Sequence, residues 1–125
     1  MTDQLLKDLA VIETDLDGAL YRLSGDEAMY ILLLEAFSKD TTMADLDKAI
    51  ANQSWDDAFT AAHALKGLAG NMGFTPLFHC LGELVILIRT GRIDEIGASY
   101  ASVKHSYDDI MTVISNFKAS GGLNL

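Results

Sequence analysis

Cysteine is almost missing from this chain: Cys80 stands alone, so no internal disulfide can form. A single thiol suits a reducing compartment. Proline is equally scarce, with Pro76 the sole example, while Ala, Leu, Asp/Glu and Lys fill many segments. That balance points to an all-helical domain and away from a disordered chain. Basic residues are few, nine Lys and Arg against eighteen Asp and Glu, for a formal net charge of −9. Nucleic acid is excluded as a partner, because phosphate-backbone binding relies on clustered cations. The acidic excess selects no partner by itself, since it mainly confers solubility and steering. Long apolar runs are absent too. The longest, Leu84 to Ile88, is far too short to span a bilayer. The N-terminal Met1 to Asp8 has no basic stretch followed by an apolar one, so no signal peptide is expected. The expectation is a cytoplasmic protein with no membrane contact.

What is present is a sequence of amphipathic helical segments. Half of the 125 residues are hydrophobic, enough for one domain with a sizeable core. The domain spans residues 1–125, with its core over about 16–117 and a tail, 118–125, expected to be mobile. Apolar spacing predicts helices from Asp3 to about Glu13, from about Asp15 to near Gly25, and from Asp26–Glu27 to about Lys39. Thr42 is expected to cap a helix through Asn52. Ser54 with Asp57 resembles a capping box opening a helix that stops at Gly73. Thr75–Pro76 reads as an N-cap followed by a first-turn proline, for a helix ending at Gly91. A last long helix starts near Asp94 and carries apolar residues to Phe117. Neither strand alternation nor an internal repeat occurs. Short connections favour an up-and-down antiparallel four-helix bundle made by the last four helices, with the N-terminal helices capping one end.

The segment from Ala61 to Gly73 carries the chemistry. Residues three, four and seven apart lie together on a helix, so Lys66, Gly67 and Gly70 share a face with His63. Leu65, Leu68, Ala69 and Met72 fall mostly on the other side, with Ala58, Ala61 and Ala62. The histidine therefore points outward, beside a cation and between glycines. Each interior glycine costs roughly 0.5–1 kcal/mol relative to alanine, and clearance for a closely approaching protein would explain them. A neutral imidazole is a competent nucleophile near neutral pH. Phosphorylated at Nε2, it would bear negative charge beside the Lys66 ammonium.

These residues resemble a known signature. Ala62-His63-Ala64-Leu65-Lys66-Gly67, continuing through Ala69, Asn71 and Gly73, is similar to the motif of histidine-containing phosphotransfer (HPt) domains. Leu20 to Glu27, then Phe37, and the acidic, aromatic Ser54-Trp55-Asp56-Asp57 extend the likeness. The resemblance implies a phosphorelay intermediate, not an enzyme, which shuttles a phosphoryl group between receiver-domain aspartates or from a histidine kinase. His63 would be phosphorylated, Lys66 would stabilise the phosphate, and Gly67 and Gly70 would be left small for docking. No cofactor is implied, Mg²⁺ belonging to the partner receiver, and the protein is expected to be a monomer. Chemotaxis-type relatives use a glutamate on the next helix to orient the histidine. That place falls here near Val85, with Glu83 two residues earlier, so no orienting group is assigned.

Read singly, the same residues are ordinary. His63 alone would be a surface histidine, and Lys66 a solvated lysine; only the combination argues for a site. Gly73 reads as a helix stop. Phe59 and Phe74 would form a docking patch if exposed, or core if buried, and Phe59 is the stronger docking candidate. His79 and Cys80 are adjacent and point apart, which suits no metal. The competing function is a non-phosphorylated helical adaptor for receiver or kinase domains. A haem or di-iron bundle would need inward-facing ligands, which the pattern lacks.

Overall fold

The computed structural model describes residues 1–122. It is all-helical: α1 (Asp3–Val11), α2 (Leu16–Arg22), α3 (Glu27–Lys39), α4 (Thr42–Ala51), α5 (Trp55–Met72), α6 (Thr75–Arg89) and α7 (Ile93–Ala119). Among the described residues, extended pairing is limited to an isolated antiparallel bridge between Thr14 and Phe74. Lys118 and Ala119, assigned to a mobile tail by the sequence pattern, are the last residues of α7. Residues 123–125 of that tail lie outside the described residues.

Helix ends follow local donors and acceptors. The Asp15 and Asp26 carboxylates accept from Gly18 N and Met29 N, both at 3.0 Å, and so open α2 and α3. Thr42 is not the cap of α4: Thr41 stands at its N-cap without a side-chain cap bond, and Asp40 accepts from Thr42 N at 2.8 Å. Two other expected caps do not form. Ser54 stands at the N-cap of α5 but makes no side-chain cap bond, so the capping box with Asp57 is absent. Thr75 lies inside α6, its hydroxyl donating to Gly73 O at 3.3 Å, while Phe74 takes the N-cap position. The first helix also ends two residues early, at Val11, because Glu13 turns to a positive φ of 59°.

One apolar core gathers side chains from every helix. On α5 the buried stripe is Ala58, Ala61, Ala62, Leu65, Ala69 and Met72, and its alanines let neighbouring backbones approach closely. That helix packs chiefly against α4 and α6, and α6 packs on α7. Asp47 of α4 accepts from Tyr100 Oη and, at 3.2 Å, from Lys104 Nζ, tying α4 to α7. From α3, Phe37 meets Phe74 edge-on at 5.1 Å and Tyr107 at 5.8 Å. The buried Tyr30 hydroxyl donates to Met72 O at 2.8 Å, and burial holds its phenol well above the usual range. The C-terminal end of α5 is thus held from the N-terminal third of the chain.

Candidate functional site

The outward face of α5 is built against α6. His63 is exposed, and its ring lies parallel to that of Phe59, one turn earlier, with centroids 6.1 Å apart and planes 3° apart. The Arg89 guanidinium sits 5.7 Å from the Phe59 ring centre. One turn beyond His63, Lys66 Nζ rests 5.0 Å from the centre of the Phe78 ring. Its stem crosses Gly82, where an added Cβ would lie 3.6 Å from Lys66 Cε. Phe78 also faces Gly70, where a Cβ would come 3.2 Å from its ring carbons. A step of seven residues back on α5, from Lys66 to Phe59, matches seven forward on α6, from Gly82 to Arg89. The two helices are therefore antiparallel neighbours in a fixed register.

That register sets Val85 across from His63. Val85 is buried and apolar, and Glu83 is exposed. Among the described residues, no hydrogen bond is made by the His63 side chain. Instead its flat contact is with Phe59, and aromatic pairs of this kind contribute roughly 0.5–1.5 kcal/mol. The parallel ring, rather than a carboxylate, limits how the imidazole turns.

The expected site residues come together in part. His63, Lys66 and Gly67 share the open face, and a Cβ on Gly67 would meet nothing within 4 Å. Gly70 has a reason of its own to be small, since Phe78 fills the space beside it. Phe59 is half-buried, gripped between His63 and Arg89. Phe74 is core, at 1 % exposure. Elsewhere, exposed His105 has its Nε2 3.7 Å from Asp109 Oδ2. The Cys80 thiol is pushed up by burial first and by Glu83 second. Among the described residues no three His, Cys, Asp or Glu side chains gather as metal ligands would, and no helix is long and apolar enough to cross a membrane.

Reading the sequence alone missed Arg22, Phe78, Gly82 and Arg89. Arg22, at the end of α2, donates to Gly70 O at 2.7 Å and to Asn71 O at 3.1 Å. A cation on the last carbonyls of a helix meets the negative end of its dipole. The result is an exposed imidazole on a face that offers cations and leaves Gly67 open above it. Such a face can hold a small anion on the ring nitrogen while a second protein covers it.

Comparison with known proteins agrees with that chemistry. No curated protein and no solved structure matches the chain. The family model of the Hpt domain matches residues 33–112, from the middle of α3 to the second half of α7, with α5 and its histidine inside. The chain belongs to the Hpt domain family, the histidine-containing phosphotransfer modules of two-component signalling, which act as phosphocarriers and interact with receiver domains and kinases.

Proposed function

We propose that this protein accepts a phosphoryl group on His63 Nε2 from a phospho-aspartyl receiver, or from a histidine kinase, and returns it to a receiver aspartate. One observation carries the choice of residue. Of the three histidines, His63 alone has a cation and an open glycine one turn beyond it on its own helix, Lys66 and Gly67, and among the described residues it meets no carboxylate. His105 lies against Asp109, and His79 stands one turn before Glu83. A carboxylate beside the ring would repel the phosphoryl oxygens.

The step is a displacement at phosphorus. The Nε2 lone pair forms the N–P bond, the acyl-phosphate P–O bond breaks, and the aspartyl carboxylate leaves with the electron pair. The imidazole keeps its proton on Nδ1. Reversal delivers the group to another aspartate. The receiver would supply Mg²⁺, and this chain needs no cofactor of its own. Phosphoryl transfer rests on positioning and charge stabilisation, and both are available on this face. Lys66 must leave Phe78 to reach the phosphoryl oxygens. Leaving a half-buried ring costs about 0.5–2 kcal/mol, while each hydrogen bond to a charged group returns roughly 1.5–3 kcal/mol. The exchange is favourable. Phe59, Gly67 and Gly70 then form the near edge of the docking surface. The same reading takes α4–α7 as an up-and-down antiparallel bundle acting as a monomer, with the N-terminal helices covering one end. Short connections and the Asp47 tie between α4 and α7 support it.

The test is transfer itself. Incubation with a phosphorylated receiver and Mg²⁺ is expected to label this chain with an acid-labile, alkali-stable phosphoryl group. A chain that binds the receiver and stays unlabelled is an adaptor, and the proposal fails. A second measurement isolates Lys66. Lys66→Gln is expected to slow single-turnover transfer by about tenfold, near 1.4 kcal/mol of barrier, with receiver affinity changed much less. Lys66→Arg should recover part of the rate. Transfer at the wild-type rate in Lys66→Gln would remove Lys66 from the chemistry.

A further inference from the structure

Cations in this protein are held in two different ways. Lys39, Arg92 and Lys104 each lie against a carboxylate: Glu35, Glu95 and Asp47. The three cations along the α5–α6 face have neutral partners instead. Arg89 lies over Phe59, Lys66 over Phe78, and Arg22 on the carbonyls of Gly70 and Asn71. Among the described residues none of the three has a carboxylate within ion-pairing distance. Aromatic faces and helix carbonyls fix a cation without neutralising it. Among the described residues Lys7, Lys48 and Lys118 also make no ion pair, but they lie apart, on α1, α4 and the end of α7.

Arg22 is the member of this set that the chemistry does not need. Gly70 is seven residues beyond His63, roughly 10 Å along the axis at 1.5 Å per residue. The guanidinium stands at a notch lined by Asp15, Gly70, Thr75, Phe78 and His79. The acid in that notch, Asp15, is engaged in capping α2, and Glu83 and Asp56 lie exposed farther along the face. Arg22 is itself exposed, and its contacts occupy one terminal nitrogen, leaving the rest of the fork open. A protein of net charge −9 thus presents an uncompensated line of positive charge where its partner must dock.

We propose that Arg22 is a second docking point for the partner receiver domain, taking a carboxylate on the rim of its phospho-aspartyl pocket. The partner's identity rests on the phosphotransfer reading; the charge argument does not. A pocket that binds Mg²⁺ beside a phosphorylated aspartate is carboxylate-lined, so it is repelled by this chain as a whole and drawn to this face alone. Arg22 makes the contact directional, fixing the rotation of the receiver about His63. Its role is in recognition and orientation, not in the transfer step.

The experiment is a titration of the unphosphorylated wild-type chain with purified receiver domains, followed at low and at high ionic strength with the tightest binder of the panel. Arg22→Gln is expected to weaken docking by about fivefold at low salt, with the deficit closing as salt screens the charge. Arg22→Lys should keep most of the salt-sensitive affinity, and Lys39→Gln, which removes a carboxylate-paired cation, should behave as wild type. A loss that is the same at every ionic strength would show Arg22 to be a structural clamp on α5, and overturns the proposal. Unchanged docking in Arg22→Gln does the same. Transfer from the phosphorylated receiver, run on the wild type alongside, reports separately. Salt-sensitive docking without transfer would overturn the phosphotransfer reading while the Arg22 contact stands.

Discussion

His63→Gln is expected to reduce phosphoryl acceptance to background, a loss of at least ~10³-fold, because the amide has no basic nitrogen to attack phosphorus. The fold should be untouched. His63 is exposed and makes no hydrogen bond among the described residues; its one close partner is the Phe59 ring. Losing the ring contact with Phe59 costs about 0.5–1.5 kcal/mol at most, so the variant should still unfold cooperatively, with a midpoint only a few degrees below wild type. The comparison with His79→Gln and His105→Gln sharpens the result. Both should accept label at the wild-type rate, since neither has a lysine and an open glycine one turn beyond it on its own helix. Receiver docking by His63→Gln should persist, because Arg22, Lys66 and Arg89 remain. Label retained in His63→Gln, or lost in His79→Gln, would move the acceptor to another residue and end the assignment.

The face that carries this prediction was largely legible in the sequence, because helical periodicity needs only local spacing. His63, Lys66 and Gly67 share an open surface, and the alanine stripe of α5 is buried, as the pattern from Ala58 to Met72 requires. Gly73 ends the helix in the left-handed conformation, with φ 75°. The caps were less legible. Ser54 and Thr75 have the right side chains, yet neither makes the N-cap bond. Bonding there depends on backbone angles and on which group the next turn already occupies.

What the sequence concealed is tertiary. Arg22 reaches Gly70 across 48 residues, and Arg89 meets Phe59 only through the register of α5 on α6. That register could have been sought by pairing seven-residue steps on the two helices, but nothing local announces where the pairing begins. Lys66 shows the difference most clearly. Its spacing from His63 suggested a cation aimed at the imidazole, whereas its ammonium rests on Phe78. Gly70 likewise looked like clearance for a partner, and Phe78 supplies an internal cause. A side chain's face is local information; its resting contact is not.

Gly73→Ala is expected to be among the most damaging single-methyl changes in the protein, at about 2–3.5 kcal/mol. Two separate terms add. The left-handed backbone costs an L-residue about 1–2 kcal/mol. The second term is steric: a Cβ at this position would collide with the Asp15 carbonyl oxygen and stand 2.9 Å from its carbon. Those are backbone atoms, which cannot rotate away as a side chain can. To relieve the collision the Thr14–Asp15 segment must lift, breaking the 2.7 Å bond from Asp15 N to Gly73 O and the bridge from Thr14 to Phe74. A lost hydrogen bond adds roughly 0.5–1.5 kcal/mol. Gly91→Ala separates the terms. Its φ is 69°, and an added Cβ meets nothing within 4 Å, so it should lose the conformational part alone, about 1–2 kcal/mol. Gly73→Asn makes the same division from the other side. Asparagine tolerates the left-handed region better than alanine, but its Cβ meets Asp15 all the same, so it should be nearly as destabilised. Denaturant melts of the three variants decide it. Equal losses for Gly73→Ala and Gly91→Ala would mean that Gly73 serves only as a helix stop. A larger loss at Gly73 means that its bare backbone docks the N-terminal segment against the helix that carries His63.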